Sequence, residues 1–213
     1  LGLPVYLGLP LGVLAGALAG FVLVPLSVHF FRFHQGNSLY NIGFTAGIIG
    51  MLFAAALRGF GVEINALLIL SSGNNTAFGA ILFGIFAALL LLGLLLERGK
   101  PRGYGRLLSL PGTLPTDFPA ISGMGLTLMN MGIMGCLSTA YVLLVGGELS
   151  GPVMGGIFTV VGFAAFGKHP RNALPVMAGV FLISLFGIHR MNAPTALLAA
   201  LFGTTLAPLA GRY

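Results

Sequence analysis

Seven long stretches of the chain contain no Asp, Glu, Lys or Arg: 1–31, 33–57, 64–96, 118–147, 149–167, 172–189 and 191–211. A helix crosses the hydrocarbon core with about 20 apolar residues. In lipid it must satisfy its own backbone groups, which leaves helices and closed barrels as the spanning structures. The stretches therefore predict an all-α integral membrane protein. Composition leads to the same class, with 57% hydrophobic and 7% charged residues, where soluble domains carry about 25% charged. A soluble fold of this length has too little polar surface to coat such a chain. Disorder is excluded by the same hydrophobicity, and a disulfide scaffold by the single Cys136. The net charge of +6 reflects scarce acids, not a dense basic face, so nucleic acid is not an expected partner.

Helices are expected at about 8–28, 38–58, 76–96, 123–146, 150–167, 173–189 and 193–210, giving about seven spans. Thirty-three helical residues over 64–96 would reach about 50 Å, against a core of about 30 Å. The break is expected at Ser71-Ser72-Gly73-Asn74-Asn75. Ile64–Leu70 then reads as a half-helix, and the spanning helix starts near Thr76 with Asn75 as its cap. The span 150–167 is short and glycine-rich, which also fits a re-entrant segment. The basic loop 97–119, with Arg98, Lys100, Arg102 and Arg106, is expected in the cytoplasm. Counting seven crossings from it puts eight basic residues inside and two outside. That arrangement is a cell-membrane protein with its N-end outside and its C-end cytoplasmic. A re-entrant 150–167 lowers the count to six against four. The sequence starts at Leu1 and shows no cleavable signal pattern. It is read as a single membrane domain, 1–213, from a longer chain.

Two segments match 89 residues apart: Ser38-Leu39-Tyr40-Asn41-Ile42-Gly43 and Thr127-Leu128-Met129-Asn130-Met131-Gly132. Each opens an apolar helix. Each helix is followed by an acid (Glu63, Glu148), a short or broken apolar segment, and a further helix. This suggests an internal repeat over about 36–96 and 125–189. Paired interrupted segments in corresponding positions are a sequence-level pointer to a transporter site.

Few residues offer chemistry. Asn41 and Asn130 can each present two donors and an acceptor, either to a solute or to a neighbouring helix. Asn74, Asn75, Thr159 and Glu148 lie in or beside the broken segments and join them as candidate substrate contacts. Glu148 follows Gly146-Gly147 and also reads as a solvated turn. Gly162–Lys168 has the spacing of a phosphate-binding loop, but His169 stands where Ser or Thr should hold magnesium. Lys168-His169-Pro170-Arg171-Asn172 reads better as a cytoplasmic turn, with Lys168, His169 and Arg171 gating or meeting lipid phosphate. Gly8, Gly12, Gly16 and Gly20 form a one-face ladder suited to close packing or to homo-oligomerisation. His29, His34 and His189 match no metal-ligand spacing, and Cys136 reads as a small apolar residue. No catalytic motif, metal set or cofactor motif is expected, so the chain is read as a non-enzyme.

The run Leu39–Gly47, the run Gly155–Phe163 leading to Gly167-Lys168-His169-Pro170-Arg171-Asn172, and the closing Phe202–Pro208 resemble a bacterial multi-pass membrane family, domain of unknown function 1576. The resemblance spans most of the chain and implies no substrate or site residue. A fainter likeness is to urea transporters, which have duplicated halves and an Asn-containing, Gly-rich helix motif after a Leu-Tyr pair. Here Tyr40 directly precedes Asn41, and the second copy has Met129.

These features together lead to the expectation of an inner-membrane transporter or channel for a small neutral or weakly polar solute. The path would lie between the repeats. The rival expectation is a non-transporting membrane scaffold that associates through its glycine faces.

Overall fold

The computed structural model describes residues 5–64, 70–187 and 190–212. Regular structure among them is helical: α1 (Val5–His34), α2 (Asn41–Gly59), α3 (Asn75–Leu96), α4 (Tyr104–Leu108), α5 (Phe118–Ser122), α6 (Met124–Leu144), α7 (Gly151–Phe163), α8 (Pro170–Phe186), α9 (Pro194–Gly203) and α10 (Ala207–Ala210). A 3-10 turn, Thr204–Leu206, joins the last two. The protein is an all-helical membrane protein. Among the described residues α1, α2, α3 and α6 are long and apolar enough to cross a bilayer. The other three expected spans are shorter. α7 has 13 residues, α8 has 17 and α9 has 10. At about 1.5 Å per residue α7 measures about 20 Å, short of a core of about 30 Å.

The break expected at 71–75 is present, and α3 starts immediately after it. One detail differs. Asn74, not Asn75, takes the capping position, and it makes no side-chain capping bond. Asn75 is the first helical residue, and its amide reaches another segment altogether. Of the half-helix expected at Ile64–Leu70, residues 65–69 lie outside the described residues, as does His189.

The chain divides into two compact units. The first is a hairpin of α1 and α2. Phe30 meets Phe44 edge-on, with centroids 5.3 Å apart. Asn41 Nδ2 donates to Ser27 O at 3.0 Å, and His34 Nε2 donates to Asn41 Oδ1 at 2.8 Å. The second unit holds everything from residue 70 onward together with residues 37–39. Leu39 N–H donates to Thr205 O at 3.0 Å within it.

The core of the second unit is the antiparallel pair α3 and α6. It is close because α6 presents glycines to α3. A Cβ on Gly132 would come within 2.6 Å of Phe86 O, and one on Gly135 would overlap the Phe86 ring. Gly93 of α3 would likewise place a Cβ 2.6 Å from Gly125 O. Phe86 is fully buried in the space these glycines leave. The glycine ladder on α1 is different. Gly12, Gly16 and Gly20 have no neighbour within 4 Å of a Cβ position.

The loop 97–119 is not a free solvated connection. It carries α4 and ends at α5, and it folds onto α6. Leu107 and Phe118 are fully buried with Leu126 and Met129, and Leu90, Leu94, Tyr104, Leu110 and Ile133 pack around them. Asp117 caps α5 by accepting from Ala120 N–H at 3.1 Å.

Gly132→Val should separate α3 from α6, because overpacking against backbone typically costs about 1–3 kcal/mol. Thermal unfolding in detergent checks this. Gly132→Val should lower the midpoint clearly, whereas Gly16→Ala, on the open face of α1, should leave it near wild type.

Candidate functional site

A fully buried polar cluster of the second unit lies where the end of α7, the start of α8, and the break between α9 and α10 meet. Asn130, Lys168, His169, Asn172 and Thr204 are all fully buried there. Helices leave orphan carbonyls at one end and orphan amides at the other. In apolar surroundings each such group must find a partner. The cluster supplies those partners.

Asn130 sits on α6, six residues past Met124, about 9 Å along the helix. Its Nδ2 donates to Ala164 O at 2.7 Å and to Lys168 O at 2.8 Å. Its Oδ1 accepts from the Tyr104 hydroxyl at 3.1 Å. One side chain thus fastens the α7–α8 connection to α6 and to α4. Burial pushes the Tyr104 phenol up to about 12.

The α7–α8 connection contains its own reciprocal cap. Asn172 Oδ1 accepts from His169 N–H at 2.9 Å, and Asn172 Nδ2 donates to Gly167 O at 2.8 Å. His169 and Asn172 form a capping box at the start of α8. His169 Nε2 lies 2.8 Å from Leu110 O. A carbonyl only accepts, so the proton is on Nε2, and Nδ1 is the bare nitrogen turned to the first turn of α8. That nitrogen is buried and closes no hydrogen bond of good geometry, so the side-chain half of the capping box is a facing arrangement and not a strong bond. Phe118 packs beside the imidazole, with ring centroids 6.3 Å apart.

The strap 110–112 crosses directly over this turn. Gly112 and Gly167 both have positive φ, 76° and 108°. A Cβ on either would collide with the other's carbonyl, so only glycine fits both positions.

Lys168 is the cation of the cluster. Its Nζ donates to Thr204 Oγ1 at 2.6 Å and lies 5.9 Å from the Phe163 ring centroid, within cation–π range. Thr204 in turn donates to Leu201 O at 2.5 Å. Burial holds the Lys168 amine well below its usual basic range. Burial also lowers His169, with the nearby Arg171 charge adding to the effect and the Leu110 carbonyl opposing it.

Lys168 and His169 therefore do not sit in a lipid-facing turn, as the run of cations suggested. The strap and the Thr204 break enclose them, and Arg171 alone of the three is exposed. The phosphate-loop spacing at 162–168 is likewise the end of α7 and a turn, with the lysine directed to Thr204.

Other candidates lie elsewhere. Asn75, Asn74 and Glu148 meet at the opposite end of the α3–α6 pair. Asn75 Nδ2 donates to Gly147 O at 2.9 Å, and Leu149 N–H donates to Asn75 Oδ1 at 2.8 Å. Gly73 N–H donates to Glu148 Oε2 at 3.2 Å. Asn74 bonds only within its own turn, to Ser71 Oγ and Ser72 O. The two interrupted segments are thus clasped to each other. Thr159 donates back to Gly155 O at 2.8 Å on a partly exposed face of α7. Asn41 belongs to the first unit and Asn130 to the second. Asn41 is the first residue of its helix, whereas Asn130 lies two turns into its own, so the matched motifs take different local structures. Tyr104, Asn172, Thr204 and the pair Gly112–Gly167 were not among the sequence candidates. For Asn172 the signal was available, as an Asn three residues after His169 at a Pro-started helix.

The family described as "Protein of unknown function (DUF1576)" matches residues 1–59 and 96–213. The chain belongs to this family. The match covers the whole cluster but not α3, which lies in the intervening stretch. No curated protein and no solved structure matches the chain, so the likeness to urea transporters rests on the motif alone.

The cluster predicts a pH dependence. His169 is less basic folded than unfolded, where its value is about 6.5. The unfolded chain therefore binds more protons just below that value. The stability contributed by neutral His169 is complete above about pH 6.5 and is lost as pH falls through the lowered folded value. The unfolding midpoint of wild type should drop between about pH 7 and about pH 5. His169→Gln, which keeps a donor for Leu110 O, should show a shallower drop. An identical slope in the variant would contradict the assignment.

Proposed function

We propose that the protein is a non-enzymatic membrane transporter or channel that passes a small neutral or weakly polar solute. The observation that carries this reading is the fully buried set Asn130, Lys168, His169, Asn172 and Thr204 at converging helix ends. Ionisable groups inside a membrane bundle are expensive and mark solute or ion pathways. Helix interruptions in transporters commonly frame such sites. The core pair α3 and α6 carries no Asp, Glu, Lys or Arg, which suits an uncharged solute better than a multiply charged one. The charge count along the sequence supports a bacterial inner-membrane location with the 97–119 loop and the C-end in the cytoplasm and the N-end outside.

A second reading, a scaffold that assembles with other membrane proteins or with its own copies, is favoured by the open face of Gly12, Gly16 and Gly20. The two readings part in one experiment. Proteoliposomes holding the full-length protein are swollen in urea, glycerol, ammonia-releasing salts and sugars, with Lys168→Met and Thr204→Val beside wild type. The transporter reading predicts a solute that enters faster than in empty liposomes and is slowed severalfold by both substitutions in protein that remains folded. Asn41→Leu and Asn130→Leu extend the series to the two motif asparagines. No excess permeability to any solute would remove the passive path and leave the scaffold.

A further inference from the structure

An open groove of about 540 Å³ runs down the outer side of α8, lined by Leu108, Pro170, Arg171, Leu174, Pro175 and Ala178. The α8 positions lie on one helical face, at i, i+1, i+4, i+5 and i+8, where Pro170 is half-buried and the other four are exposed. The groove is apolar everywhere except at Arg171. Arg171 stands in the first turn of α8, at the end of the unit where the basic loop lies, and Leu108 of α4 forms the groove's other lip. Arg106, on α4 two residues before Leu108, is exposed as well.

We infer that this groove is a binding site for an anionic glycerophospholipid. The phosphate would meet the Arg171 guanidinium, and one acyl chain would lie along Leu174, Pro175, Ala178 and Leu108. The argument is complementarity of charge and polarity along a single line. A cation caps the groove at the basic end, and over the about 12 Å of helix from Pro170 to Ala178 the groove's lining has no other polar side chain. A guanidinium makes bidentate bonds to phosphate oxygens, and basic sites beside membrane helices select anionic headgroups. The chain's acids do not compete there: of the loop's two, Asp117 accepts from Ala120 N–H and Glu97 packs against Gly125. Lys168, the neighbouring cation, is enclosed with Thr204 and cannot substitute for Arg171. The inference does not depend on solute transport, because the groove faces away from the buried cluster.

The test uses the full chain in a neutral detergent and follows the thermal unfolding midpoint. Dioleoyl-phosphatidylglycerol, dioleoyl-phosphatidylcholine and glycerol phosphate are titrated separately. The expected result is a saturable rise with phosphatidylglycerol, a smaller one with phosphatidylcholine and none with glycerol phosphate. Arg171→Gln, a surface change, should weaken the phosphatidylglycerol response about fivefold, and Arg171→Lys should restore part of it. Ala178→Phe, which fills the groove below the headgroup, should weaken the response to both lipids. Arg58→Gln, in the first unit, should leave all three responses unchanged. Equal responses to the two lipids, an undiminished response in Arg171→Gln, or a full response to glycerol phosphate alone would each overturn the site.

Discussion

A helix that ends within apolar surroundings leaves carbonyl groups that water cannot reach, and the rest of the second unit depends on how the amide of Asn130 meets that constraint. Its two N–H groups take the carbonyls of Ala164 and Lys168. α7 can therefore stop after 13 residues without stranding its end. An unpaired buried carbonyl costs about 1–3 kcal/mol, so an apolar residue at this position would strand two acceptors at once. The connection to α8 follows from this attachment. Asn172 closes the turn from the other side, and Gly112 and Gly167 let the strap 110–112 cross it at backbone distance.

The burial of Lys168 is a consequence of that architecture. Once the turn is pinned to α6 and covered by the strap, its lysine has no route to water, and it reaches Thr204 at the start of the 3-10 turn that interrupts the last helix. Desolvation then works against its charged form. The basic loop, the short helices and the interrupted final helix are therefore parts of one arrangement, whose polar atoms are held by main-chain groups far apart in sequence. The clasp of Asn75 with Gly147 and Leu149 does the same at the other end of the α3–α6 pair. There too an amide side chain satisfies backbone groups that no helix covers.

The sequence carried the helices well, because uncharged length is a local property. The break before α3 was also legible, since Gly73 takes a positive φ and the Ser and Asn residues around it favour turns. Asn130 could be picked out as a polar residue in an apolar helix, but its partners could not. They are carbonyls of a turn, and carbonyls are the same for every residue type. Lys168 was misread for a related reason. Three cationic or titratable side chains around a proline look like a solvated turn, and what covers Lys168 and His169 is a glycine strap whose role depends on a single distant crossing. The glycine ladder on α1 has the more regular spacing, yet the α6 glycines that pack against α3 are Gly125, Gly132 and Gly135, spaced by seven and three. That spacing also marks one helical face and was open to the same periodicity argument.

Lys100 and Lys168 are the chain's two lysines, which makes the enclosure of Lys168 directly measurable. The folded protein in proteoliposomes is treated with a membrane-permeant amine-reactive reagent, and each lysine's modification is followed over time by peptide mass spectrometry. Lys100 is exposed and Lys168 fully buried. The account predicts that Lys100 is modified early and that Lys168 stays protected until the protein is unfolded. Modification of Lys168 at the rate of Lys100 in the folded protein would contradict it.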